Sequence, residues 1–389
     1  MKIFINLFKN ELKRIFKNDV VMAIFFGAPL AYGLLFGYVY QKAKVTDIPV
    51  IVVDEDSGIL SDKIIQALDD TESLKVVKVL PDANVLDDLM KSNAYAAVIK
   101  IPKDFEKNIF QKNYPAINVD LDMSNILIAN FASKNIQRVL QTLKAGIEIE
   151  ALNKKGMPKT IAQKQFESFK TNYHKLYNPT SNYEYFMLPG LLGAILQQVI
   201  FLALALVFAR DFEDGYFAKL LKVSKNPLYF ITLKALPFVL LTLINWTVLS
   251  AFLSYFQIDL KLFNLPMLML AGLLSLSAML IGMLFSVLIP NQLKATEFLM
   301  VISTPAFILS GFTWPVMAMP GWIQQLSQWI PLTPFLSAAK KIAFYGSNFQ
   351  HILPELKQLI LISLMAFILL VISLKIKILR QSKTPLHHV

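Results

Sequence analysis

Six apolar stretches restrict what this chain can fold into. A helix that crosses a bilayer needs about 20 mostly apolar residues. The stretches that approach or exceed this length lie at about 20–40, 185–209, 228–256, 265–289, 298–312 and 359–374. Of the 389 residues, 55% are hydrophobic and 17% are charged, whereas an average soluble domain is about 25% charged. The sequence therefore predicts an integral membrane protein with six transmembrane helices.

Lysine and arginine in the short flanks predict the orientation of these helices. Basic residues concentrate before the first stretch, after the second and fourth, and in the C-terminal tail, and such residues favour the cytoplasmic side. We expect a multi-pass protein of the bacterial plasma (inner) membrane with both termini cytoplasmic. The net charge of +11 then indicates contact with anionic membrane lipid rather than with nucleic acid.

The predicted fold class is a membrane all-α six-span bundle with an inserted external α/β domain. Residues 1–18 have apolar residues at helical spacing and predict an amphipathic interfacial helix. Residues 19–40 form the first span, which is too long for a signal peptide. Residues 41–184 form the external domain. A five-span transmembrane domain follows at 185–377, and residues 378–389 form a cytoplasmic tail.

The external domain alternates β-type runs with polar helical stretches, which is typical of a small α/β domain. The predicted strands are IPVIVVD, SLKVVKVL, AYAAVIKI and AINVDLD. The predicted helices between them are SDKIIQALDD, DANVLDDLMK and KDFEKNIFQ. Residues 125–153 and 158–175 predict two longer helices that lead the chain back to the membrane.

Two acidic clusters allow two interpretations. Asp54, Glu55 and Asp56 form one cluster, and Asp120 and Asp122 form the other. Carboxylates are calcium ligands, but the ligand spacing of an EF-hand loop is missing, so turn residues at strand ends are the preferred explanation. The four histidines are scattered and there are no cysteines, so we expect no metal site. No hydrolase motif occurs.

Neutral polar residues interrupt the apolar stretches, and no charge lies near a predicted span centre. We consider them for a translocation path, with hydrogen bonding between helices as the alternative. They are Gln197, Gln198, Asn245, Ser303 and Thr304. Since proton-driven transport normally needs a titratable group inside the membrane, energy is expected from elsewhere. No glycine is followed by lysine, so the chain has no P-loop and is not expected to be an enzyme.

Four stretches of the sequence resemble the permeases of type-2 ABC exporters, in the branch with a large external domain after the first span. They are VVDEDSGILSDKIIQAL, LYNPTSNYEYFMLPGLL, ARDFEDGYFAKLLKVSKNP and LSGFTWPVMAMPGWIQQLSQWIPLTPF. The resemblance rests on the order of these stretches and on their spacing relative to the six predicted spans. It covers nearly the whole chain. The resemblance implies a permease that pairs with a separate ATPase.

The third of these stretches, residues 209–227, resembles the cytoplasmic loop that docks on the ATPase in this family, and we place the coupling loop at 210–227. Arg210, Glu213 and Gly215 match the family pattern. The family usually has threonine after that glycine and a glutamate soon afterwards, whereas this chain has Tyr216 and Lys219. A solvated loop that follows the positive-inside rule is the alternative.

The fourth stretch, within residues 311–335, is rich in proline and tryptophan. Prolines break helices and tryptophan favours the headgroup level, so we expect short re-entrant helices at the outer membrane face. They would form an outer gate or only anchor the protein. The residues that indicate this region are Trp314, Pro315, Pro320 and Trp322.

The resemblance implies efflux of a small or amphipathic compound, a drug or a lipid-like molecule. The permease would form a homodimer or pair with a related permease, and a periplasmic adaptor is a further expected partner in a two-membrane cell. ATP would be bound by the partner ATPase, so this chain needs no cofactor. Two alternatives remain open: an ATP-independent carrier or channel, and a non-transporting scaffold or receptor.

Overall fold

The computed structural model describes residues 2–42, 44–83, 95–158, 160–161, 177–178, 182–258 and 262–383. The chain divides into two units. One unit combines Met1–Ala43 with Lys175–Val389, and the other is Lys44–His174. Most of the predicted helices at 82–91 and 158–175, and residues 384–389 of the predicted tail, fall outside the described residues.

The first unit is helical throughout its described part. Helix α1 precedes a continuous helix made of α2, a π-helical turn at Ala23–Gly27 and α3. The unit also contains two 3₁₀ turns, Val316–Ala318 and Phe349–Ile352. The helices of this unit are α1 (Lys2–Phe16), α2 (Asp19–Met22), α3 (Ala28–Tyr40), α7 (Tyr183–Glu213), α8 (Tyr216–Leu221), α9 (Pro227–Tyr255), α10 (Leu265–Leu288), α11 (Gln292–Leu309), α12 (Gly321–Ser327), α13 (Leu332–Tyr345) and α14 (Leu353–Lys383).

Five helices among the described residues are long and apolar enough to cross a membrane. They are Asp19–Tyr40, Tyr183–Glu213, Pro227–Tyr255, Leu265–Leu288 and Phe349–Gln381, and they coincide with five of the six predicted stretches. The remaining stretch forms the shorter α11, whose first two turns carry Gln292, Lys294 and Glu297. A sixth span therefore stays a prediction.

Close packing of α10 against α7 organises the bundle. A Cβ atom added at Gly282 of α10 would lie 2.7 Å from Leu204 Cβ and 3.2 Å from the Phe201 carbonyl oxygen. One turn further along α10, the Ser286 hydroxyl accepts hydrogen bonds of 2.8 Å from the backbone N–H groups of Phe208 and Ala209. Small residues thus let the two helix backbones approach closely, as is common in membrane helices.

The apolar side of α1 packs onto the bundle. Phe4, Leu7 and Phe8 contact the main hydrophobic core and Ile15 belongs to it, and the Phe4 ring meets the edge of Tyr229 in α9 at 5.5 Å. A helix over Lys2–Phe16 lies within the segment predicted to be an amphipathic interfacial helix. The structure adds that much of its apolar face covers protein. Its placement on a membrane surface stays a prediction.

The second unit contains a four-stranded sheet with its own core. The strands lie in the order β2-β1-β3-β4, with β1 parallel to β2 and β3, and β4 antiparallel to β3. They confirm the four predicted strands. The elements of this unit are β1 (Ile48–Asp54), α4 (Ile59–Asp69), β2 (Leu74–Leu80), β3 (Ala97–Ile101), α5 (Phe105–Phe110), β4 (Asn118–Leu121) and α6 (Ile126–Lys154).

The acidic cluster after β1 forms a turn. Asp54 Oδ1 accepts hydrogen bonds of 3.1 Å from the backbone N–H groups of Asp56 and Ser57, and its Oδ2 accepts one of 2.8 Å from the Ser61 hydroxyl. In the second cluster, Asp120 pairs with Lys100 at 2.6 Å. Both sets of contacts favour the structural interpretation of these carboxylates.

The approach of α7 and α10 gives a test with a matched control in one helix. Gly282→Val places a branched side chain against the α7 backbone, whereas nothing lies within 4 Å of a Cβ at Gly272. We expect Gly282→Val to lower the thermal unfolding midpoint in detergent, by overpacking worth about 1–3 kcal/mol or more. Gly272→Val is expected to have a much smaller effect. Equal midpoints for the two variants would contradict this packing.

Candidate functional site

Four consecutive residues at the C-terminal end of α7 each contact another part of the helical unit. We call residues 211–214 the DFED segment. Gly215 follows it with φ +64°, in the left-handed region that favours glycine, and begins α8. The chain bends at Gly215, between α7 and α8. The DFED segment therefore lies at the end of α7, inside the predicted coupling loop.

A set of four charges, three of them buried, joins α1, α7 and α9. We call Glu11, Arg14, Asp211 and Lys234 the charge quartet. Lys234 Nζ lies 2.8 Å from Glu11 Oε2 and 2.5 Å from Asp211 Oδ2. Arg14 Nη1 donates to Asp211 Oδ1 at 2.7 Å and lies 3.4 Å from Glu11 Oε1. The residues Asp211, Lys234 and Glu11 are only 0%, 1% and 5% exposed. The Arg14 side chain is 21% exposed, so two acids and two bases balance one another with three of the four away from solvent.

Opposite charges lie next to one another throughout the quartet. Burial alone would lower the pKa of Arg14, but the charge and hydrogen bond of Asp211 and the charge of Glu11 outweigh it and raise that pKa. Charges buried without partners cost several kcal/mol. Each member of the quartet thus needs the others to offset the free-energy cost of its burial. Separating α1 from α7 and α9 would break these ion pairs and cost several kcal/mol.

Tyr216, the first residue of α8, packs against two members of this quartet. The Arg14 guanidinium lies 4.1 Å from the ring centroid of Tyr216, and Lys234 Nζ lies 5.6 Å from it. Burial, followed by the charge of Glu11, raises the pKa of Tyr216, so the ring stays neutral and offers its face to both cations. Tyr216 stands where the resemblance leads us to expect threonine, and this contact gives Tyr216 a structural role.

Glu213 connects the DFED segment to α11. Its Oε1 accepts hydrogen bonds from Asn291 Nδ2 at 2.8 Å and from the Gln292 backbone N–H at 3.0 Å, and Gln292 Nε2 donates to its Oε2. A carboxylate at a helix N-terminus satisfies free N–H groups and complements the helix dipole. Glu213, which the sequence predicts to act in the coupling loop, therefore makes a specific contact with the start of α11.

Arg210, Phe212 and Phe217 make further contacts that hold the α7–α8 turn against the bundle. Arg210 Nε lies 3.5 Å from Asp214 Oδ2, and its Nη1 donates to the Arg14 carbonyl oxygen at 3.3 Å. Phe217 is fully buried and its ring lies 4.9 Å from that of Phe212. Lys377 of α14 lies 5.3 Å above the Phe212 ring. One side of α8 is thus fixed to the bundle.

The opposite side of α8 is exposed. Lys219 of α8 faces solvent, as do Lys222 and Lys225 just after it. No ion pair joins these three lysines to another residue within the described part of the chain. A short helix with a buried aromatic side and an exposed basic side has the form of a docking element.

The residues considered for a translocation path have different surroundings. Asn245 Nδ2 donates to the Phe25 carbonyl oxygen in the π-helical turn at 2.8 Å. Ser303 and Thr304 hydroxyls donate to Met300 in their own helix. Gln197 is 1% exposed, and its Oε1 has no hydrogen-bond partner among the described residues, while Gln198 is half-buried. The role of these five residues in transport stays a prediction.

The proline- and tryptophan-rich region folds into short helical pieces. Pro315 precedes the first 3₁₀ turn and Pro320 precedes α12, while Trp314 and Trp322 are exposed. Further along, α13 is tied to α14 because Lys341 Nζ lies 2.6 Å from Glu355 Oε1. The predicted short helices are present, and their function as an outer gate stays a prediction.

Comparison with known proteins decides the family. The model of the family described as ABC-2 family transporter protein matches residues 20–375. The chain belongs to the ABC-2 transporter family. Among similar proteins of Escherichia coli K12, the probable multidrug ABC transporter permease YbhR is 24% identical over 92% of this chain and 94% of its own length. The inner membrane transport permease YhhJ is 22% identical over 82% and 83% respectively.

The charge quartet of this ABC-2 family member was not predicted from the sequence. Glu11 and Arg14 lie in the N-terminal segment and are distant in sequence from Asp211 and Lys234. One signal was available: a lysine in the apolar stretch of α9 normally requires a buried partner. The sequence did not indicate which carboxylate would provide it.

The quartet predicts a large effect of removing one charge and a smaller effect of removing a balanced pair. We expect Lys234→Met to destabilise the protein by about 3–5 kcal/mol, because Glu11 and Asp211 would be left with excess buried charge. The double variant Lys234→Met/Glu11→Gln keeps Arg14 with Asp211 and is expected to recover part of this loss. Thermal unfolding of the purified variants measures both, and a stable single variant would argue against the quartet.

The contact of Glu213 predicts local destabilisation of α11. Glu213→Ala removes the acceptor of the Gln292 N–H group, and loss of a capping carboxylate costs about 0.5–2 kcal/mol. Hydrogen exchange is expected to become faster in the first turn of α11 and to change little in α10. Glu297→Ala, an exposed change in the same helix, serves as the control. Unchanged exchange in Glu213→Ala would contradict the cap.

Proposed function

We propose that the chain is the membrane permease subunit of an ABC exporter, driven by a separate ATPase that docks on α8. Family membership supports the ATPase partner, and the probable multidrug permease YbhR, similar over nearly the whole chain, supports efflux of a small or amphipathic compound. The observation that carries the proposal is the DFED segment, which links the α7–α8 turn to α1, α9, α11 and α14.

This arrangement suits the transmission of force. A partner that moves α8 also moves the end of α7, because Phe217 is buried against Phe212. Motion of that end acts on α1 and α9 through the charge quartet and on α11 through Glu213. Packed cores respond by switching between discrete arrangements rather than by deforming continuously, so a small displacement at α8 would rearrange several membrane helices together.

The proposal includes the finer features of the predicted topology. The end of the bundle that carries α8 and both termini is cytoplasmic, α11 completes a set of six spans, and the unit Lys44–His174 is external. Two such permeases, identical or related, bind two ATPases. ATP is held by the partner, and the compound exported is a drug-like or lipid-like molecule.

Co-purification tests the docking surface with a matched control. Lys219→Glu reverses an exposed charge on α8 without touching the buried contacts, whereas Lys357→Glu makes the same change at an exposed position of α14. After mild extraction from the native host, we expect a P-loop ATPase to accompany the unmodified protein and Lys357→Glu. Its yield should fall several-fold with Lys219→Glu.

Two outcomes would count against the proposal. Absence of any ATPase under several mild extraction conditions would favour an ATP-independent carrier or a scaffold. An ATPase that binds Lys219→Glu and the unmodified protein equally would retain the exporter but move the docking surface away from Lys219.

A further inference from the structure

The first membrane-spanning helix is interrupted by the π-helical turn at Ala23–Gly27, between α2 and α3. The Ala28 backbone N–H donates to the Ala23 carbonyl oxygen, five residues earlier, whereas an α-helix bonds to the fourth residue back. Such turns are rare, occur mostly as single interruptions of α-helices, and are frequent at functional sites. The span therefore consists of two α-helical parts that are joined by one irregular turn.

Pro29 weakens the same part of the span. It is buried at the start of α3. Because proline has no N–H group, it leaves the carbonyl four residues earlier, that of Phe25, without its α-helical donor. Phe25 is fully buried, so its carbonyl needs another partner. Proline and π-helical turns are two of the common causes of helix bending, and here they occur together.

A side chain of α9 supplies the missing donor. Asn245 Nδ2 donates to the Phe25 carbonyl oxygen at 2.8 Å, and Asn245 is itself only 1% exposed. In membrane helices, side chains of neighbouring helices commonly satisfy the carbonyls that proline leaves free. This single hydrogen bond therefore joins the most easily bent part of the first span to α9.

Beyond the turn, α3 lies close to α9 through two glycines. A Cβ atom at Gly33 would lie 2.9 Å from the Phe252 ring, and one at Gly37 would overlap the Phe256 ring. Phe252 and Phe256 follow Asn245 by seven and eleven residues, a spacing that places all three on one face of α9. A bend at the π-helical turn would therefore move the glycines of α3 away from this face.

We propose that the π-helical turn and Pro29 form a hinge in the first span, and that Asn245 is the latch that holds this hinge closed. With the latch open, α3 swings away from α9 while α1 stays attached to the bundle through the charge quartet. In the described structure the buried residues of α3 are Pro29, Gly33 and Gly37, so the swing exposes little apolar core. The hinge goes beyond the exporter function, because it needs neither an ATPase nor an exported compound.

Pairs of spin labels test the hinge, because the chain has no cysteine and labels can be attached at chosen positions. The pair Lys9→Cys/Val39→Cys places one label on each side of the hinge. The control pair Lys9→Cys/Leu265→Cys reaches the start of α10 without crossing it. All three positions are exposed. Double electron–electron resonance in lipid nanodiscs, with unlabelled protein in excess so that distances within one protomer dominate, measures both distance distributions.

Asn245→Leu removes the donor and keeps a side chain of similar size. We expect the Lys9–Val39 distribution to become about twofold broader or to gain a second maximum, because the hinge loses its only side-chain tie among the described residues. The Lys9–Leu265 distribution should not change. Thr247→Val is the matched control on α9, since Thr247 is exposed and its hydroxyl donates to the Leu243 carbonyl in its own helix. It should change neither distribution.

A rescue separates a hinge from general loosening of the bundle. Pro29→Ala introduces an N–H group that can donate to the Phe25 carbonyl, so its addition to Asn245→Leu should narrow the Lys9–Val39 distribution again. Pro29→Ala alone adds a donor and removes none, and it therefore tests the hinge even if Asn245→Leu does not fold. In this single variant, amide hydrogen exchange within Ala23–Leu34 should slow several-fold, while exchange in α10 stays the same.

Four results would overturn the proposal. Asn245→Leu could leave the Lys9–Val39 distribution unchanged, or it could broaden both distributions equally. Thr247→Val could broaden the Lys9–Val39 distribution as much as Asn245→Leu does. Pro29→Ala could fail both to narrow that distribution in the double variant and to slow exchange in the single variant, which would show that the missing N–H group does not make the span bend.

Discussion

The arrangement of the helical unit depends on four paired charges at one end of α7, three of them buried and Arg14 partly exposed. Asp211 is fully buried between Arg14 and Lys234, and Glu11 completes the set. Because an unpaired charge in such a place would cost several kcal/mol, α1, α7 and α9 must meet there in one particular way. The neighbouring residues of the DFED segment then fix α11 and α14 relative to the same point.

This concentration of contacts explains why the turn after α7 suits coupling. Gly215 supplies a left-handed backbone conformation with no side chain to obstruct it, and α8 is only six residues long. A helix so short would not be stable alone. Phe217 and Tyr216 hold it against the bundle, so α8 has a defined surface to offer a partner and cannot move independently of α7.

The sequence predicted the elements of the fold better than their contacts. Long apolar stretches and alternating β-type runs are local patterns, and they located five long helices and all four strands. The fifth stretch was harder because Lys294 and Glu297 occupy the start of α11, which is stabilised by its N-cap Asn291 and by the contact with Glu213. The family pattern identified Arg210, Glu213 and Gly215 as a group, but it could not indicate that Glu213 contacts α11. The charge quartet was missed because its members are separated by about 200 residues, and a lone lysine does not reveal its partner.

The use of charges at this point, instead of apolar residues, is itself informative. Replacing buried ion pairs by well-packed apolar groups is often neutral or stabilising, so stability alone does not account for the quartet. The apolar face of α1 includes Phe4, Leu7 and Phe8, which pack on the bundle, and apolar burial of this kind is non-directional. A shift of one turn would move Glu11 and Arg14 about 5.4 Å along the helix axis and leave Asp211 and Lys234 without their partners. We infer that the quartet fixes the register of α1, and that any rearrangement driven through α8 must carry α1 with it.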